Sequence, residues 1–273
     1  MSELNRVSFP DSPERENIIE LRNVYQTYNG GKTLVVDGFN LLIEDKPGQG
    51  QFVVIMGLSG CGKSTILRYV AGLQEPTSGE VLICGEPRSE SKRLVSMVFQ
   101  QYSSLPWKTV AENVMLPLRF QGMRERESRE QAMAMIEAVG LLGHENKYAK
   151  YPLLSGGQLQ RVAIARSLIS NPDIILMDEP FGALDTNTRA EMQFLLADIW
   201  EGLKCTIVFV THDMQEAVFM GDDIYIMSAN PGFIAHHIPV DLPLHRDRET
   251  KRSSRFVDLV SQVEDTLLSM KKR

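Results

Sequence analysis

A chain of 273 residues, 43% hydrophobic and 23% charged, is long enough to bury one large core or two small ones, and its balance is that of a globular protein. A net charge of −6 argues against nucleic acid as the main partner, and no apolar run approaches the roughly 18 residues needed to cross a bilayer. Cys61, Cys84 and Cys205 have no metal-ligand spacing and no evident pairing, which predicts a reducing, intracellular setting.

In chain order, residues 1–17 are polar, lack an apolar signal core and are expected to form a loose N-terminal extension. Short apolar or β-branched runs then predict strands over Ile18–Leu21, Leu34–Ile43, Gln51–Met56, Gly79–Ile83, Val95–Phe99, Ile174–Met177, Thr206–Val210 and Ile224–Met227. Helical patterns begin at Lys63, Ser128, Gly156, Thr188 and Met214. A last helix near Ser254–Met270 carries Phe256, Val257, Leu259, Val260, Val263, Leu267 and Leu268 on a broad apolar stripe. Strand and helix alternate as in an α/β core around a mostly parallel sheet. Between about Gln101 and Gln160 strand signals cease, so a mainly helical subdomain is expected inside that core.

The run "GLSGCGKST" follows the apolar "QFVVIM" and opens a helical pattern. Its spacing, Gly57-x-x-x-x-Gly62-Lys63-Ser64, fits a phosphate-binding P-loop. Glycines let backbone N–H groups close on phosphate oxygens, and the helix start adds its positive end. Gly57, Ser59, Gly60, Cys61 and Gly62 are therefore expected to form the cradle. Lys63 is expected to reach the β- and γ-phosphates, Ser64 to ligate Mg²⁺, and Thr65 to bond the α-phosphate. Cys61 reads as a small packing residue rather than a redox switch.

"DIILMDEP" is an apolar strand ending in two carboxylates. Alone it would pass for an ordinary strand end with a solvated acidic pair. With a P-loop upstream, Asp178 is placed to help hold Mg²⁺ and Glu179 to polarise an attacking water. In "LLSGGQLQRVAIARSL", Ser155 is a good N-cap, and Gly156 and Gly157 leave the helix start open to an anion. A second anion-binding helix start beside a single P-loop is explained if it serves the nucleotide of another copy.

These motifs resemble the ATP-binding cassette family, and the resemblance runs from about Ile18 over nearly the whole chain. "LSGGQ", Leu154–Gln158, is similar to that family's signature. Tyr28 matches the aromatic that stacks on adenine, with Tyr25 the weaker candidate. Gln100, at the end of "VSMVFQ", resembles the Q-loop glutamine that meets Mg²⁺ and the attacking water. Gly182–Asp185 resembles the D-loop, which places Asp185 at the nucleotide interface, and His212 in "VFVTHD" the histidine that senses the γ-phosphate.

The resemblance implies a P-loop NTPase (RecA-like) core with a mixed sheet, an antiparallel β subdomain and an inserted α-helical subdomain. It implies a nucleotide-binding domain over 18–230, with its helical subdomain at about 101–160, and a tail over 231–273. It also implies an ATPase that uses ATP and Mg²⁺, pairs head to tail with a second copy, and drives separate permease subunits. Such a subunit would sit on the cytoplasmic face of the cell membrane. In "SSLPWKTVAENVMLPLRF", Trp107, Val110, Met115 and Leu118 are candidate permease contacts or, equally, subdomain core. "LPW" and the tail "SANPGFIAHHIPVDLPLHR" are similar to importer ATPases of the nitrate, taurine and aliphatic sulfonate group. Those importers also work with an extracytoplasmic substrate-binding protein. "EDKPGQGQF" before the P-loop strand departs from that pattern and reads as a longer surface loop. A DNA-repair or translation ATPase of the same family would carry the same nucleotide motifs, usually with a coiled-coil insertion or a second cassette, and neither is present.

Overall fold

The computed structural model describes residues 6–7, 9, 16–46, 50–101, 103–229 and 231–271. Most of the expected N-terminal extension, and residues 47–49 of the expected surface loop, lie outside the described residues. In chain order the elements are β1 (Asn17–Tyr28), β2 (Thr33–Glu44), β3 (Gln51–Gly57), α1 (Lys63–Ala71), β4 (Ser78–Ile83), β5 (Glu86–Pro87), β6 (Val95–Val98), α2 (Val110–Phe120), α3 (Glu125–Ala138), α4 (Gly156–Leu168), β7 (Ile174–Asp178), α5 (Thr186–Glu201), β8 (Thr206–Thr211), α6 (Met214–Met220), β9 (Asp223–Met227), β10 (Ile234–Pro239) and α7 (Ser254–Lys271). A 3-10 turn at Thr250–Arg252 precedes α7.

The chain divides into two compact units. The first takes the described residues of Met1–Arg93 and Thr206–Arg273. Within it, β3 pairs in parallel with β8 on one side and β9 on the other, and β10 adds antiparallel to β9. Every residue of β3 and of β8 is buried, as in a parallel strand covered on both faces, which is why both read as unbroken apolar runs. A separate antiparallel sheet runs β2-β1-β4-β5. Bulges interrupt the β1–β2 register, and only Ile18–Leu21 of that long strand carries a clear apolar signal.

The second unit, Leu94–Cys205, contains the parallel pair β6–β7 and helices α2 to α5. Val110, Val114, Leu118, Ile136, Leu159 and Val162 are at the centre of its helical core. Two helix starts differ from the sequence expectation. Ser128 does not open α3; it is buried one turn in, and its hydroxyl donates to the Arg124 carbonyl at 2.9 Å. α5 begins at Thr186, because Asp185 caps it.

Candidate functional site

The P-loop hangs from the buried end of β3. Gly62 is the N-cap of α1 at φ 101°, a left-handed conformation that favours glycine, and no side chain caps this helix. The cap residue itself therefore does not close this helix start. Ser59 and Gly60 are exposed, and Ser64 and Thr65 half-buried. Lys63 is only 5% exposed, and its Nζ donates to the carbonyls of Gly57 and Leu58 at 2.9 and 3.1 Å. Among the described residues Lys63 forms no ion pair. Cys61 is fully buried, its sulfur filling the space a side chain at Gly57 would need, and its amide donates to the Leu58 carbonyl at 3.3 Å.

Elsewhere in this unit Tyr28 ends β1 and is 41% exposed, and its hydroxyl accepts from Gln74 Nε2 at 3.2 Å. His212 follows β8 and is exposed. The residues flanking it are tied down. Thr211 Oγ1 donates to the buried Glu216 at 2.6 Å and accepts from the Asp213 amide at 3.0 Å, while Asp213 caps α6.

In the second unit β7 ends at the buried Asp178, and Glu179 takes φ 44°, an unusual value for a residue with a β-carbon. That turn sets its carboxylate apart from the strand direction. Gln100 Nε2 donates to Glu179 Oε2 at 3.4 Å, so two residues 79 apart in sequence meet. Asp185 accepts from the amides of Asn187 and Thr188, both at 3.1 Å. Hydrogen bonds from the Thr188 side chain and backbone hold its carboxyl below the usual carboxylate range.

The signature segment starts α4 with a complete capping box. Ser155 Oγ accepts from the Gln158 amide at 3.3 Å, and Gln158 Oε1 accepts from the Ser155 amide at 2.9 Å. Gly156 is half-buried, but Gly157 is buried, and a β-carbon there would collide with the Thr188 methyl. That glycine is required by the packing of α4 on α5. Gln158 Nε2 also lies 2.6 Å from His144 Nε2. Since Oε1 of Gln158 is already an acceptor, Nε2 donates and the His144 nitrogen accepts. His144 thus braces the signature glutamine, a role invisible in the sequence, where nothing in spacing links it to Gln158.

Of the four candidate permease contacts, Val110, Met115 and Leu118 are buried in the helical core and Trp107 is 67% exposed. Only Trp107 is free to meet a partner. The last helix buries Phe256, Leu259 and Val263 but exposes Val257 and Leu268, so its buried stripe is narrower than expected.

The uncapped start of α1 and the buried Lys63 suit a polyphosphate. The Ser64 hydroxyl in the first unit, and the Asp178 carboxylate and Gln100 side-chain carbonyl in the second, are each oxygen donors of the kind Mg²⁺ takes. Among the described residues no helix is long and apolar enough to cross a membrane.

A family model described as ABC transporter matches residues 45–182. The chain is 40% identical over 240 residues to the nitrate import ATP-binding protein NrtD of Synechocystis sp., covering 87% of each chain. It is 39% identical to the aliphatic sulfonates import ATP-binding protein SsuB of Bacillus cereus, covering 88% of this chain and 90% of that one. Among solved structures, the dimeric post-hydrolysis state of the ATP-binding cassette MJ0796, bound to ADP and Pi, superimposes with a TM-score of 0.70 at 36% identity, over 81% of this chain and 98% of that chain.

Proposed function

The chain belongs to the ABC transporter family and is an ATPase of that family, and on that premise we propose that it powers an importer of a small oxyanion of the nitrate or sulfonate kind. The observation that carries the nucleotide part is the buried, ion-pair-free Lys63, facing its own loop carbonyls at the uncapped start of α1. A buried cation without a carboxylate partner among the described residues is a receptor for an anion.

In the proposed site the backbone of Gly57, Ser59, Gly60, Cys61 and Gly62 wraps the phosphates, with Lys63 and Thr65 adding side-chain bonds. The exposed ring of Tyr28 is available to stack on adenine. Mg²⁺ held by Ser64, Asp178 and Gln100 would neutralise charge between the β- and γ-phosphates. Glu179 orients the attacking water and accepts its proton, with Gln100 3.4 Å away to restrain the carboxylate. Lys63 and His212 stabilise charge on the transferring phosphoryl group. Ser155, Gly156, Gly157 and Gln158 serve the ATP of a second copy, with Asp185 at the same interface, so that two chains share two nucleotides in an isologous dimer. ATP then favours the closed pair, and hydrolysis releases it.

The motion needs a receiver. We assign separate permease subunits on the cytoplasmic face of the membrane, with the segment 101–160 as the docking subdomain and Trp107 as its exposed anchor, and an extracytoplasmic binding protein to deliver cargo. The names of the two importer relatives support the oxyanion class. The test is to purify tagged Glu179→Gln with ATP from solubilised native membranes. A co-purifying polytopic membrane protein is the expected result; an intact ATP dimer accompanied only by soluble proteins or nucleic acid would contradict the importer assignment.

A further inference from the structure

α6 has seven residues, and a helix that short does not hold itself. Its place is set by what grips its ends. At the N-terminus the grip is the Thr211–Glu216–Asp213 network around His212. At the C-terminus a tail residue, Arg246, buried to 3% exposure, grips the carbonyls. Arg246 Nη1 donates to the carbonyls of Val218, Phe219 and Gly221 at 3.3, 3.0 and 3.2 Å, and its Nε donates to Pro243 at 2.6 Å. These include carbonyls that the end of a helix leaves without partners, and the cation sits where the helix dipole favours it.

The second guanidinium nitrogen, Nη2, lies 3.1 Å from Asp222 Oδ1. Asp222 is itself locked to the foot of the P-loop strand. Its Oδ2 accepts from the Phe52 amide at 2.9 Å and its amide donates to the Phe52 carbonyl at 2.7 Å. One side chain therefore joins the rear of the helix that follows His212 to the base of the strand that leads to Gly57. Other tail groups press on the same helix: Lys251 Nζ lies 4.3 Å from the centre of the Phe219 ring, and α7 packs on α6. The stretch "DLPLHR", which carries part of the importer resemblance, ends in this arginine.

We propose that Arg246 is a positioning residue for ATP hydrolysis: it fixes α6 against β3, and through α6 the backbone that presents His212. This rests on the assignment of His212 to the transferring phosphate. It gives the C-terminal tail a part in catalysis without touching nucleotide.

The test is a double-mutant cycle on the purified full chain, read by single-turnover and steady-state ATPase, with thermal melts to establish folding. His212→Ala should lower kcat by about a hundredfold. Arg246→Met should lower kcat by about tenfold or more, with KM for ATP within about twofold, because the P-loop is untouched. In the His212→Ala background, Arg246→Met should change the residual rate by less than about twofold. Arg246→Lys, which keeps the charge but not the fork, should recover part of kcat. If Arg246→Met does not fold, Arg246→Lys carries the cycle, its smaller fall in kcat being expected to vanish in the His212→Ala background. A folded Arg246 variant with unchanged kcat overturns the proposal, as does an equal loss with and without His212. An unchanged kcat in His212→Ala alone would instead overturn the role of His212, and so the two failures are distinguishable.

Discussion

Helices α1 and α4 both start where the sequence offers glycine beside a hydroxyl, yet their free amides are treated in opposite ways. α1 has only Gly62 at its N-cap and no side-chain cap, and a buried lysine stands in its first turn. α4 closes on itself, with Ser155 and Gln158 satisfying each other's amides and His144 bracing the glutamine. The first start has no side-chain cap closing it. The second has spent two of its donors internally. On the proposed assignment, this difference means that α1 should bind phosphate by itself, whereas α4 should meet a phosphate already held elsewhere.

The largest effects should fall on the first start. Lys63→Ala is expected to weaken ATP binding about a hundredfold in equilibrium titration, the loss of a buried charge-assisted contact. Ser155→Ala should leave the affinity of the single chain within about twofold; an equal loss in both would erase the distinction. Glu179→Gln separates binding from chemistry. Its hydrolysis rate should fall on the order of a hundredfold or more with ATP still bound, and sedimentation should show an ATP-dependent dimer.

Smaller effects sharpen the account of α4. Gly157→Ala should destabilise the fold by about 1–3 kcal/mol in denaturant melts, through collision with the Thr188 methyl. Adding Thr188→Ser should restore part of that loss; no restoration would mean Gly157 is not there for packing. Smallest, Thr109→Ala should cost about 1 kcal/mol by removing the cap of α2, with ATP affinity unchanged.

Much of this molecule was legible from the chain, for identifiable reasons. β3, β7 and β8 are fully buried, so their apolar runs stand out whatever their period. The P-loop and signature residues are contiguous, so a short spacing carries them. α2 was not foreseen because Pro117 lies inside it, although Thr109 and Glu112 form a capping box that the pattern Thr-x-x-Glu announces. β10 was missed because its exposed His236 and His237 dilute the strand signal. His144 and Arg246 were illegible for a different reason. Their partners lie 14 residues away in one case and 24 to 28 in the other, and only the fold brings them together.

The central claim, that one copy's P-loop works with another copy's signature helix, is tested most directly by mixing two inactive chains. Lys63→Ala disables every P-loop in its own dimers, and Ser155→Arg disables every signature helix in its own. A mixed pair contains one site with both parts intact. The account predicts that an equimolar mixture hydrolyses ATP well above the sum of the two proteins assayed alone. A mixture no more active than that sum, with mixed dimers verified by differential tagging, would contradict it.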